Sequence, residues 1–274
     1  MATQANPSSH RRGRRQANGQ NARASTSASD AHSTGEENGA SNWLPAVPTP
    51  ADPIPYPLLR YDDIPEGLAE ALRGIINRYE LRTGTSLPNT VAVTSPLPAE
   101  GVTIVSQCLA TMIAQEMGSF VCWVDCGWLT ANPKSEASEH RPDLLDILAD
   151  HSRIHSAFQV SPELPRLMSL APGPVPDSKR NLIVRSPAFE QLLEVLAQEF
   201  DHVIFDVPPV LANANGLALL RQANASLIVV RHRSTTLAQV KRAVDATQPT
   251  PNLGVVLNRY RSSIPTRLAR LLGG

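Results

Sequence analysis

The sequence predicts a doubly wound α/β domain: a mostly parallel sheet with helices on both faces. Short apolar runs alternate with segments of helical periodicity between residues 65 and 258, and strands alternating with helices build parallel βαβ units. The runs are continuously apolar rather than alternating, as in strands covered on both faces. A third observation sets the amino terminus apart. From Ala2 to Asn42 there is no Val, Ile, Leu, Phe, Trp or Tyr, so this stretch cannot bury enough surface to offset the entropy of ordering.

The elements follow in order. Pro65 suits a first helical turn, where its missing N–H would have no partner anyway, and Leu68, Leu72, Ile75, Ile76 and Tyr79 recur at helical spacing. Thr90 to Thr94 (TVAVT) reads as a strand. Ile104, Val105, Cys108, Leu109, Met112 and Ile113 mark one face of a helix, and Phe120 to Asp125 (FVCWVD) is the next strand. A short helix is expected within Pro142 to Asp150. Ser186 is placed to cap a helix with Pro187 at its first position and Phe189, Leu192, Leu193, Leu196 and Phe200 on its buried side. His202 to Val207 (HVIFDV) is a strand, followed by a helix through Leu217, Leu219 and Leu220. The strand Ser226 to Arg231, a helix through Leu237, Val240 and Val244, and the strand Leu253 to Asn258 complete the pattern.

The 274 residues accommodate one good-sized domain behind a tail. We expect a disordered, Ser/Ala-rich basic tail over 1–42, a Pro-rich linker over 43–60 and the α/β domain over 61–274. With 25 basic against 25 acidic residues the formal charge is +0, which gives no overall pull toward nucleic acid, and no specific nucleic-acid partner is expected. The tail differs: Arg11, Arg12, Arg14, Arg15 and Arg23 precede the first acid, Asp30, a composition suited to touching anionic surfaces, or to plain solvation. Cys108, Cys122 and Cys126 are an odd number without a secretory segment, which points to reduced thiols in the cytoplasm. No run approaches the roughly 18 consecutive apolar residues of a membrane helix. Two cysteines beside a strand, and seven histidines without a ligand pattern, give no reason to expect a structural metal.

In such sheets ligands bind at the carboxyl ends of the strands, so the informative loop joins the first strand to its helix: Ser95-Pro96-Leu97-Pro98-Ala99-Glu100-Gly101-Val102-Thr103. A phosphate-binding loop here reads G-x-x-x-x-G-K-[ST]; its glycines let backbone N–H groups close on phosphate, its lysine neutralises charge and its hydroxyl ligates magnesium. Gly101 and Thr103 occupy the right places, Val102 stands at the lysine and Pro96 at the first glycine. Asp125 and Asp206 end two further strands, where a carboxylate can hold magnesium or orient water. Taken singly, each could equally cap a helix or pair with local amides.

With these residues in view, the chain resembles the cytoplasmic kinase domain of bacterial tyrosine kinases for capsular and exopolysaccharide synthesis, of the same P-loop class as the partitioning ATPases. The loop of that family commonly reads TSATPGEGKST, and here Thr94 to Ile104 reads TSPLPAEGVTI; its third element commonly reads YDYVIIDTPPVL, and Asp201 to Leu211 reads DHVIFDVPPVL. The resemblance extends over Glu66 to Asn258. It implies that ATP or ADP with magnesium meets Gly101, Val102 and Thr103, that Thr103, Asp125 and Asp206 serve the metal, that Asp125 and Asp206 are the catalytic carboxylates, and that Asn258 lies near the adenine. It further implies a cytoplasmic protein held at the inner face of the membrane by a membrane-spanning polysaccharide chain-length regulator. Glu70 and Arg73 match the start of the family's self-assembly motif, but its second arginine falls on Ile76, so a homo-oligomer is an open expectation. Departures cluster at the chemistry: Val102, Pro96, Ala99, Gly127 and Asn215 replace family residues, and the carboxyl-terminal tyrosine cluster is reduced to Tyr260. The expectation is a kept fold with weakened nucleotide binding and weak or absent phosphoryl transfer; the alternative is an active, divergent tyrosine autokinase or ATPase.

Overall fold

The computed structural model of the protein describes residues 58–130, 141–171 and 173–260. The tail expected over 1–42 and nearly all of the linker expected over 43–60 lie outside these residues. The first long helix, α1 (Glu66–Thr83), starts after Pro65 and stops at Gly84, whose left-handed φ of 69° lets its N–H reach back to the Glu80 carbonyl at 2.8 Å. Its inward stripe is Ala69, Leu72, Ile75 and Tyr79. Strand β1 (Thr90–Thr94), helix α2 (Val102–Glu116) and strand β2 (Val121–Asp125) follow as expected, and both strands are buried at every position.

Beyond β2 lie α3 (Leu144–Ala149), α4 (Ile154–Ala157), β3 (Gln159–Val160), β4 (Leu167–Leu170) and α5 (Asp177–Ile183). The third helix opens on a capping box in which the Asp143 and Asp146 side chains each accept the other residue's N–H, at 2.8 and 3.3 Å. Then come α6 (Pro187–Glu199), capped by Ser186, and β5 (His202–Asp206). The chain continues through α7 (Ala214–Leu220), β6 (Ala225–Arg231), α8 (Leu237–Ala246) and β7 (Asn252–Asn258).

One seven-stranded sheet results, in the order β3-β4-β2-β5-β1-β6-β7. Every pairing is parallel except β3 with β4. Apolar side chains pack on both faces. One layer is built around Trp128, Ile147, Leu192 and Phe205, the other around Leu72, Leu109, Trp123 and Ile204. The doubly wound α/β fold is therefore as the sequence predicts.

Two features differ from expectation. The pair β3–β4 and helix α5 lack a legible pattern: β3 has two residues, β4 buries a serine (Ser169), and α5 turns only Arg180 and Ile183 inward. The last strand is not covered on both faces. It forms an edge, and Val255 and Leu257 are exposed while Leu253 and Val256 are buried. Gly254 lies against α1, where a Cβ would make an ordinary van der Waals contact with Ile75 at 3.5 Å.

Candidate functional site

The winding of the chain brings β2, β5 and β1 together at the middle of the sheet, and the loops at their carboxyl ends frame one cleft of about 1030 Å³. Asp125 closes β2 and Asp206 closes β5, and the pairing register sets these two residues directly beside one another. Parallel neighbours in register project to the same side of a sheet, so two carboxylates share the floor of the cleft. Both are largely buried. The Asp125 Oδ1 accepts the Gly127 N–H at 2.7 Å, and a Cβ at 127 would come within 2.9 Å of that oxygen. The glycine at 127 thus allows the chain to fold tightly around the carboxylate, and any side chain there would crowd it.

The loop after β1 forms the facing wall. Ala99 and Gly101 both have left-handed backbones, φ 62° and 94°, and Gly101 is the N-cap of α2. The helix therefore points its amino-terminal N–H groups into the cleft, the partial positive end of the peptide dipoles. Three contacts brace the loop from below and beside. The Thr94 hydroxyl donates to the Pro208 carbonyl at 2.9 Å, the Val210 N–H donates to the Ser95 carbonyl at 3.0 Å, and the Ser95 hydroxyl donates to the Leu97 carbonyl at 2.8 Å. The Pro208-Pro209 turn is in this way a mould for the loop.

Glu100, almost wholly buried, ties the loop to the far side. Its Oε1 accepts the Thr235 hydroxyl, its Oε2 accepts the Leu97 N–H at 3.4 Å, and its backbone carbonyl accepts Asn258 Nδ2 at 2.8 Å. Asn258 itself does not line the cleft; it clamps the loop from the end of β7, tight against Gly101.

Thr103 lines the cleft together with Gly101, Val102, Asp125 and Asp206, so five of the six residues singled out by sequence meet in one place. The Val102 side chain is 9% exposed and joins the apolar layer under α2. A branched hydrocarbon thus fills the first helical position beside the N–H groups. Neither Arg231 nor Arg233 lines the cleft; among the described residues the arginine that does is Arg259. Sequence reading also missed Asn213. Its Oδ1 caps α7 by accepting the Gly216 N–H at 2.8 Å, and its Nδ2 donates to the Leu129 carbonyl at 2.8 Å, joining the loops after β5 and β2. The Asn-X-X-Gly spacing after Pro-Pro is the signal that marks it.

Cys126 follows Asp125 and is buried. Burial first, then the charges of Asp125 and Asp206, raises its thiol well above the ordinary range. It therefore stays protonated and offers no nucleophile. Burial alone also pushes up Cys122, and it moves Cys108 to about 11. Outside the cleft, Arg73 is engaged within the chain: it donates to both Glu116 oxygens at 3.0–3.1 Å, to Glu66 at 3.3 Å and to the Tyr61 hydroxyl at 3.4 Å. These bonds strap α1 to α2.

A glycine-bearing loop opening onto a helix amino terminus, opposite carboxylates at neighbouring strand ends of a parallel sheet, defines the P-loop NTPase class of nucleotide-binding folds. The homologues of this chain are bacterial tyrosine-protein kinases. It is 26% identical over 189 residues to tyrosine-protein kinase ptk of Acinetobacter johnsonii, covering 68% of this chain and 25% of that protein; the chain spans about a quarter of the length of the first relatives it matches. It is 29% identical over 200 residues to tyrosine-protein kinase YwqD of Bacillus subtilis, covering 71% of this chain and 82% of that one. Among solved structures, the kinase domain of the Escherichia coli tyrosine kinase ETK superposes with a TM-score of 0.61 at 25% identity, over 82% of this chain and 89% of that one. No family model matches the chain. Among the described residues no helix is long and apolar enough to cross a membrane.

Proposed function

We propose that this protein is a catalytically impaired kinase-like component of exopolysaccharide or capsular polysaccharide assembly. In this reading it binds ATP or ADP with magnesium weakly and acts by regulation or scaffolding. The observation that carries it is Val102: the wall that should present an ammonium group to the β and γ phosphates presents buried hydrocarbon.

The donor set otherwise suits the nucleotide. Thr103, Asp125 and Asp206 are hard oxygen ligands around one cleft, the chemistry magnesium takes, and the first turn of α2 offers N–H groups to phosphate. When bound, magnesium would draw charge from the polyphosphate; Asp125 and Asp206 would hold it, and the loop braced by Glu100 and Asn258 would fix the phosphates. Losing one preorganised cationic donor typically costs about 10²–10³ in rate, so transfer suffers more than binding. The partner of this reading is a membrane-spanning chain-length regulator, which would bring the protein to the inner face of the membrane. The support is the likeness to bacterial tyrosine kinases.

Purified protein should bind Mg–ATP without labelling its own tyrosines or releasing phosphate. Phosphate release abolished by Asp206→Ala would instead establish the second reading, an active divergent autokinase or ATPase. That reading is favoured by Thr103, Asp125 and Asp206 meeting in one cleft.

A further inference from the structure

Among the described residues that line the cleft, Glu100, Asp125 and Asp206 bear carboxylates and Arg259 bears a guanidinium. A polyphosphate entering such a place needs positive charge from somewhere other than residue 102. We propose that Arg259 supplies it, as a nucleotide-binding residue that contacts the polyphosphate of a nucleoside di- or triphosphate. This rests on the cleft being a nucleotide site and deepens that reading.

Four observations converge on Arg259. It lines the same cleft as the loop and the two aspartates. Its side chain makes no ion pair with any described residue and is exposed, so its charge is not already spent internally. Its position is tied to the loop through two hydrogen bonds in series: the Arg259 N–H donates to Asn258 Oδ1 at 2.7 Å, and Asn258 Nδ2 donates to the Glu100 carbonyl at 2.8 Å. Its backbone holds a left-handed φ of 55°, which side-chain-bearing residues rarely adopt. That turn carries the chain off β7 at the lip of the cleft.

A guanidinium is well suited to the task. It stays charged at any accessible pH and offers a planar fork of donors to phosphate oxygens. Coming from the β7 side rather than from the helix, it would hold the nucleotide without reproducing the lysine's place within the loop. The cleft would then keep nucleotide while lacking the group that follows the phosphoryl in flight.

The test is calorimetric titration of the full chain with Mg–ADP, Mg–ATP and adenosine, for wild type, Arg259→Ala, Arg259→Lys and Arg233→Ala. Loss of a charged hydrogen bond weakens binding roughly ten- to a hundredfold. Arg259→Ala should lose that much for both phosphorylated ligands and keep adenosine within about threefold. Arg259→Lys should recover part of the loss, because the charge survives without the fork, and Arg233→Ala should match wild type. Wild-type affinity for Mg–ADP should also fall more steeply with salt than that of Arg259→Ala. If Arg259→Ala binds Mg–ADP like wild type, or loses adenosine in equal measure, the assignment to Arg259 is wrong while the nucleotide site stands. If wild type gives no heat with either nucleotide at millimolar concentration, both fall together.

Discussion

Replacing Gly101 with alanine tests whether the loop has the shape described here, because two separable penalties meet at that atom. At φ 94° an alanine lies in the left-handed region, which costs about 1–2 kcal/mol for a residue with a Cβ. The new methyl would also overlap Asn258 Nδ2. That amide is the end of a flexible side chain and can swing away, but doing so forfeits its bond to the Glu100 carbonyl, a net loss of about 0.5–1.5 kcal/mol. The sum is about 1.5–3.5 kcal/mol, a sizeable part of the 5–15 kcal/mol that holds a typical domain together. Urea unfolding followed by tryptophan fluorescence measures it, with the midpoint expected to drop by about 1 M for a slope of 2–3 kcal/mol/M. A double-mutant cycle separates the parts. In Gly101→Ala with Asn258→Ala the overlap has no target, so the double variant should be more stable than the two single losses added, by about the worth of the forfeited bond. A neutral Gly101→Ala, or strict additivity in the cycle, would show that the loop and Asn258 are not packed as described.

Other perturbations have equally definite outcomes. Asn213→Ala removes a cap and the strut to Leu129 together, and should destabilise the fold by about 1–2 kcal/mol in the same urea experiment. Its effect should be matched poorly by Asn215→Ala, because Asn215 makes no comparable bridge among the described residues. The Arg73 strap carries a pH signature. The Arg73 hydrogen bond, chiefly, holds the Glu116 carboxyl below its ordinary 4.5, so the contribution is present above that value and is lost as pH falls through the depressed one. The gap in melting temperature between wild type and Glu116→Gln should therefore be widest near neutrality and close as acidification carries the pH below the ordinary carboxylate range. Cys126 should resist alkylation by iodoacetamide in the native state and react only on unfolding, since it is buried and its thiol is pushed upward.

How much of this was legible in the sequence depends on how far each feature is written in local pattern. The strands β1, β2, β5 and β6 each carry a continuous apolar stretch, and their helices carry a clear period, so the central sheet could be read directly. The edge of the sheet could not. Two residues of β3 have no pattern, and β4 interrupts its apolar run with Ser169. The aspartates were readable because they end strands, but their placement side by side depends on β5 inserting between β1 and β2, a non-local choice no motif records. Arg73 also makes a contact that no local pattern records: Glu116, forty-three positions away, takes up its guanidinium within the chain. Arg259, which lines the cleft from the end of β7, carries no motif that marks it in the sequence.

The central claim is that position 102 withholds the charge that phosphate transfer requires, and it is tested most directly by titrating Mg–ATP into wild type and Val102→Lys side by side, with phosphate release followed in the same samples. Restoring a charged donor should tighten binding roughly ten- to a hundredfold and raise turnover from a negligible level. Equal affinity in the two proteins, or wild-type turnover that the lysine does not improve, would contradict the claim.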